Sequence, residues 1–184
     1  MLNFHHSRDA FAAFIQQHQD KVYNVVLGML QNQQDAEEIT QDVFIEVYKK
    51  ANAFKGESSV STWIYRIAVN KSIDHIRSKQ RKKRFAVITG LFTSYNDETI
   101  NEPGHFVHPG VLSENREKAK YLFTAIQSLP ETQQTAFVLS EMEQLSYKEI
   151  SEVMNTTVAA VESLLVRAKQ NLRKRLGDFY KENK

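Results

Sequence analysis

The sequence predicts an all-α protein of two small helical domains joined by a flexible linker. Three observations predict it. Apolar residues recur at helical spacing through most of the chain, glycine and proline are scarce at 6 and 3 of 184 residues, and the periodicity dissolves between residues 90 and 114. Scarce glycine and proline argue against a loop-rich or all-β chain. A chain of 184 residues holds one ordinary domain or two small ones. The division that follows is 1–89, a linker at 90–114, and 115–184.

Taken in order, Phe11, Phe14 and Ile15, then Val22, Tyr23, Val25, Val26, Met29 and Leu30, read as two helices. Asp35 followed by Glu38 has capping-box spacing and opens a helix striped with Ile39, Val43, Phe44, Val47 and Tyr48. Phe54 to Ser59 is a polar loop with a glycine, feeding a helix over 61–78 through Ile64, Ile67, Ala68, Ile73 and Ile76. The linker carries Pro103-Gly104 and Pro109-Gly110. Beyond it, Leu122, Phe123, Ile126 and Leu129 form one helix. Pro130 at a first helical position, with Ser128 and Glu131 in capping-box spacing, opens another through Phe137, Val138, Leu139 and Met142. Ser146 to Glu149 is a third start signal, and Val158 opens a long last helix striped with Val161, Leu164, Leu165, Ala168, Leu172 and Leu176.

Composition narrows the chemistry. The chain has no cysteine, which excludes disulfides, thiolate nucleophiles and cysteine-based zinc sites and fits a reducing, cytoplasmic compartment. Met1 to His6 lacks the basic and apolar regions of an export signal, and no stretch approaches the roughly 20 apolar residues that cross a bilayer. No phosphate-binding glycine loop, H-E-x-x-H helix or nucleophile elbow is present, so neither an enzyme nor a cofactor is expected. His105 and His108 are spaced like metal ligands but have no third ligand nearby, where zinc wants three or four.

Net charge is only +2, but it is unevenly spread. Lys71, Arg77, Lys79, Arg81, Lys82, Lys83 and Arg84 stand against the single acid Asp74, and Arg167, Lys169, Arg173, Lys174 and Arg175 form a second basic run. Asp35, Glu37, Glu38, Asp42 and Glu46 form an acidic stretch free of basic residues. One acidic and two basic surfaces imply more than one partner.

Residues 147–164 have the spacing of two short helices crossing steeply. Ile150, Met154, Val158, Val161 and Leu164 are expected in their shared core, with small Ser151 at the close approach and Asn155 at a turn that needs positive φ. An ordinary αα-hairpin and a DNA-binding helix-turn-helix both fit, and the basic helix that follows favours DNA. At about 100° per residue the face opposite the apolar stripe presents Ala159, Ala160, Ser163, Val166, Arg167 and Gln170. Ser163 and Arg167 suit base edges, Ala159 or Ala160 a thymine methyl, and Lys169, Arg173 and Lys174 phosphates. A solvated face is the alternative for any one of these basic residues.

Two sets of motifs then meet. Asp35-Ala36-Glu37-Glu38-Ile39-Thr40-Gln41-Asp42-Val43-Phe44, with Ser61-Thr62-Trp63-Ile64-Tyr65-Arg66-Ile67-Ala68-Val69-Asn70, resembles the second conserved region of bacterial sigma factors of the extracytoplasmic-function branch. Leu129-Pro130, Leu145 to Ile150, Val161 to Leu164 and Arg167-Ala168-Lys169 resemble their fourth conserved region. The resemblance implies a sigma region 2-like bundle and a sigma region 4-like helix-turn-helix, with core RNA polymerase and promoter DNA as partners and no small-molecule substrate. It also implies an anti-sigma factor, commonly membrane-bound in this branch.

By that resemblance the polymerase-docking residues are Asp35, Glu38, Gln41, Asp42, Glu46 and Tyr48, with Phe44 expected to be buried. The -10 element falls to Phe54, Lys55, Ser58, Trp63, Tyr65, Arg66, Asn70, Lys71, Asp74 and Arg77, with a base drawn from the stack into the loop at 54–59. Trp63 reads equally as a core residue. The -35 element falls to Thr157, Ala159, Ala160, Glu162, Ser163, Arg167, Lys169, Gln170, Arg173 and Lys174. Many relatives carry a basic residue where Glu162 stands and Arg where Leu164 stands, so the -35 sequence does not carry over. The family's N-terminal inhibitory region and third domain are missing, as is usual for this branch. A polymerase-independent helix-turn-helix regulator is the rival reading, and it leaves the acidic surface and the Trp63 helix without a role.

Overall fold

The structure, a computed structural model, describes residues 8–88 and 116–182, with side chains over 8–85 and 121–177. Among those residues the chain is seven α-helices and one short 3-10 turn, with no strand. The expected linker, with His105 and His108, lies outside them.

Helix α1 (Arg8–Leu30) is one helix where the sequence reads as two. The polar stretch from Gln16 to Lys21 holds no glycine or proline, and Gln and Lys are good helix formers, so nothing breaks the helix between its two apolar clusters. It ends at Gln31, which takes φ 53° and donates its N–H to the Leu27 carbonyl at 2.8 Å. Helix α2 (Gln33–Lys50) starts before Asp35, because Asn32 is the cap: its side-chain oxygen accepts the Asp35 N–H at 2.9 Å. The capping box expected from Asp35 and Glu38 is therefore replaced by a cap three residues earlier.

A 3-10 turn (Ala51–Ala53) leads into the 54–59 loop, where Gly56 takes φ 76°, a conformation that costs glycine little. Ser59 Oγ accepts the Thr62 N–H at 3.0 Å and starts helix α3 (Val60–Ile88). This helix runs ten residues past its expected end at 78, since the lysines, arginines and glutamine there favour helix. Val22, Val25 and Val26 of α1, Ile39, Val43 and Val47 of α2, and Ile64 and Ala68 of α3 fill the core between them. Burial of each larger side chain stabilises by about 1.5–3 kcal/mol.

The second unit is α4 (Arg116–Gln127), α5 (Glu131–Glu141), α6 (Tyr147–Met154) and α7 (Val158–Glu182). Pro130 caps α5 without a side-chain bond, and Ser128 Oγ turns back to the Ala125 carbonyl at 2.7 Å, so the Ser128–Glu131 capping box does not form. The box at α6 does form. Ser146 Oγ accepts the Glu149 N–H at 3.3 Å, and the Glu149 carboxylate accepts the Ser146 N–H at 2.8 Å.

The two units pack on each other, α1 against α5 and α3 against α6, and their apolar residues form one continuous cluster. The close approach is at Gly28. A methyl group there would lie 2.5 Å from Met142 Sδ and 2.9 Å from Val138 Cγ1. Gln134 of α5 crosses the same seam, donating to the Met29 carbonyl at 3.0 Å.

Candidate functional site

Helices α6 and α7 pack on each other across a three-residue turn. Asn155 takes φ 51° and ends α6: its N–H reaches the Glu152 carbonyl at 3.4 Å, and the Thr156 N–H reaches the Ser151 carbonyl at 2.9 Å, the paired bonds of a Schellman motif. Thr157 Oγ1 then accepts the Ala160 N–H at 3.2 Å and caps α7. Ile150, Val161 and Ser151 are buried as expected, and Leu164 and Met154 are half-buried. Val158 is exposed instead, and Val153 takes the buried place, because the turn at Asn155 to Thr157 rotates the start of α7 outward.

The outer face of α7 presents Ala159, Glu162, Ser163, Val166, Arg167 and Gln170 to solvent, with Ala160 half-buried. Arg173 and Lys174 are also exposed, and Lys169 reaches Glu141 at 2.9 Å. A helix with a short polar N-terminal face and basic residues along its later turns suits a major groove flanked by phosphates.

A second surface lies on α3 and the loop before it. Phe54 and half-buried Trp63 pack ring to ring at 5.0 Å, and with Lys55, Glu57, Ser58 and Arg66 they line an open cavity of about 450 Å³. Trp63 thus has one face in the fold and a place in the cavity wall. Asn70 and Asp74 are exposed, while Lys71 lies 3.9 Å from Glu46.

Three of the expected -10 residues on α3 meet the second unit. Tyr65 is buried and donates to Glu143 at 3.0 Å, Arg66 donates to the Glu152 carbonyl at 2.6 Å, and Arg77 makes a two-pronged contact with Glu131 at 2.9 and 3.1 Å. Burial pushes both the Tyr65 hydroxyl and the Glu143 carboxyl up from their ordinary values. Glu131, Glu143 and Glu152 are absent from the sequence-based site, since nothing in the spacing of acids on α5, on α6 and in the turn between them marks them as facing another unit.

The acidic helix α2 divides its residues. Glu38, Gln41 and Tyr48 face outward, Asp42 is half-buried and Phe44 is buried. Asp35 turns to α3, where His75 approaches it at 3.4 Å and Lys79 pairs with it. Glu46 bonds Lys50 at 2.8 Å, and that hydrogen bond holds its carboxyl below the usual range. Between α1 and α2 runs a largely apolar groove of about 600 Å³, lined by Phe11, Ile15, Gln41, Phe44, Ile45 and Tyr48 among others.

Two family descriptions fall on the two units: Sigma-70 region 2 matches residues 14–82, and Sigma-70, region 4 matches residues 119–172. The ECF RNA polymerase sigma factor SigW of Bacillus subtilis (strain 168) is 35% identical over 177 residues, covering 94% of this chain and 91% of the relative. The chain belongs to the extracytoplasmic-function (ECF) sigma factors. It is a promoter-recognising sigma subunit of RNA polymerase. The ECF RNA polymerase sigma-E factor of Escherichia coli (strain K12) is 30% identical over 161 residues, 88% of this chain and 83% of the relative. The fold is shared by the sigma factor RpoE, solved with the anti-sigma factor NepR from Bartonella quintana, with a TM-score of 0.69 at 18% identity over 91% of this chain and 96% of that one. CnrH, solved with the cytosolic domain of CnrY, gives a TM-score of 0.66 at 17% identity over 94% and 90%.

In this ECF sigma factor the region 4 match runs from α4 into α7 and contains the helix-turn-helix, and the region 2 match runs from α1 into α3. Among the described residues no helix is long and apolar enough to cross a membrane, and no group of three His, Asp or Glu side chains is placed to hold a metal ion.

Proposed function

We propose that the three surfaces divide the work of initiation. The exposed face of α7 reads the -35 element through Thr157, Ala159, Ala160, Glu162, Ser163, Arg167 and Gln170, with Lys169, Arg173 and Lys174 on phosphates. The cavity behind Phe54 and Trp63 takes a base of the -10 element out of the stack, with Lys55, Ser58, Tyr65, Arg66, Asn70, Lys71, Asp74 and Arg77 serving the single strand around it. Stacking on an aromatic side chain is worth about 1–3 kcal/mol per base. Melting follows from that capture, with no covalent chemistry in the chain.

The outward face of α2 docks on core polymerase. Glu38, Gln41 and Tyr48 stand on it at helical spacing together with Ile45, which is 51% exposed. An exposed isoleucine and tyrosine at the edge of an apolar groove, with acids around them, give the anchor and the charged rim of a binding face. Asp35, Asp42 and Glu46 shape this face from its inner side. The working compartment is the cytoplasm, where polymerase is found, and an anti-sigma factor is the further partner, as for the two solved structures of like fold.

The observation that carries this reading is that an outward basic recognition helix and an aromatic-lined cavity occur on separate units of one chain. Core polymerase immobilised on a surface should capture the wild-type chain and bind Ile45→Glu at least about ten-fold more weakly, a loss of about 1.4 kcal/mol. Equal capture of both proteins contradicts α2 as the docking face, and no capture of either contradicts the role in initiation.

A further inference from the structure

Three of the side chains proposed to meet the -10 strand also take part in holding the two units together. Arg66 and Arg77 of α3 both donate to oxygens of the second unit: a carbonyl at the end of α6 and the Glu131 carboxylate. Tyr65 is only 4% exposed beneath Glu143. The pairing is matched in kind. A planar guanidinium takes a carboxylate in two-pronged fashion as it takes a phosphate, and the Glu152 carbonyl, which also accepts the Asn155 N–H at 3.4 Å, stands at the negative end of the α6 dipole, where cations are attracted. Glu152 also lies on the wall of the Phe54–Trp63 cavity, so α6 stands at the mouth of the base pocket.

A cleft of about 450 Å³ runs along the seam between the units, lined by Asn70, Thr132, Thr135 and Asn155 among others, so part of the contact is open rather than tightly packed. The outer face of α7 is not involved. Closure therefore engages part of one DNA reader, at Tyr65, Arg66 and Arg77, and leaves the other exposed.

We propose that region 4 is an intramolecular competitor for the -10 strand: α5, α6 and the turn between them present oxygens to Arg77, Arg66 and Tyr65 in place of DNA, and the free chain binds single-stranded DNA only when this seam opens. The proposal rests on the assignment of Arg66 and Arg77 to DNA made above. When the competent state is a minor fraction, apparent affinity falls by that fraction, so opening a chain that is about one-tenth open raises affinity about ten-fold.

The test uses the full chain, whose lack of cysteine lets spin labels be placed only at Gln16→Cys and Gln127→Cys. Inter-label distances are measured beside the affinity for a randomised pool of single-stranded DNA oligonucleotides. Wild type should give one narrow distance and weak binding. Glu131→Gln combined with Gln134→Ala, which removes the bond to the Met29 carbonyl across the seam, should broaden the distance and tighten binding about ten-fold, and adding Arg66→Ala should remove the gain. Gly28→Met, a wedge at the seam that favours helix α1, should act like the double variant, and circular dichroism verifies that the helices persist. A wild-type distance as broad as the variants' overturns closure, even if Arg66→Ala still weakens oligonucleotide binding. Variants that open without binding more tightly, and without any effect of Arg66→Ala or Arg77→Ala, overturn the DNA assignment and the competition with it.

Discussion

Gly28 shows how much one missing methyl group decides. An alanine in a helix interior is better than glycine by about 1 kcal/mol, so Gly28→Ala favours α1 taken alone. The added carbon would meet Met142 Sδ at 2.5 Å and Val138 Cγ1 at 2.9 Å. The methionine end can swing away, but the branched valine is held on α5, and overpacking of this kind costs about 1–3 kcal/mol. Clash exceeds propensity, and Gly28→Ala should lower the urea midpoint of unfolding without loss of helix content. Residue-scale roles were unevenly legible in the sequence. The Ser146–Glu149 box was readable because both partners of a reciprocal cap are local. The α2 cap was not, because Asn32 and Asp35 are both good capping residues and only the three-dimensional start of the helix distinguishes them. Glu143 was invisible as a partner, since Tyr65 lies 78 residues away in sequence.

Among the elements, α7 carries the clearest division of labour. Arg167 projects from its outer face near the N-terminal half, and Lys174 lies two turns further on. Arg167→Ala should relax preference at one position of the -35 element, at about 1–3 kcal/mol. Lys174→Ala should weaken binding to all sequences alike and reduce the salt slope by about 1. Selection from a randomised duplex by holoenzyme containing each variant separates the two outcomes. The face of α7 was legible from periodicity because a long helix keeps its phase. Its first residue was not: Val158 was expected in the core and is 41% exposed, since phase is reset by the turn at Asn155 and no period runs through a turn. Likewise the polar stretch of α1 looks like a break between two helices, although polar residues without a breaker only mark the exposed side of a continuous helix.

At the scale of the whole molecule, the all-α class and the two units were visible in the sequence, while their packing was not. Contacts between units depend on a few side chains with no periodic signature, and the acids of α5 and α6 look like any solvated helix face. The seam makes a pH prediction. Burial raises the Glu143 carboxyl above the ordinary glutamate value, against the hydrogen bond from Tyr65 and the nearby Lys21 charge, which lower it. Its contribution to stability is then fully present below the ordinary value of 4.5 and is lost as pH rises through the raised value. Stability measured across that window should fall for wild type as pH rises, and Glu143→Gln, which carries no titrating group, should flatten this part of the profile.

The measurement that tests the central claim most directly is run-off transcription from a promoter library by core polymerase, with and without this chain. The three-surface account predicts transcripts from a restricted set of promoters only when the chain is present, with loss on Asn70→Ala that a pre-melted template restores. Transcripts unchanged by the chain, together with tight binding of the free chain to duplex DNA, would contradict it.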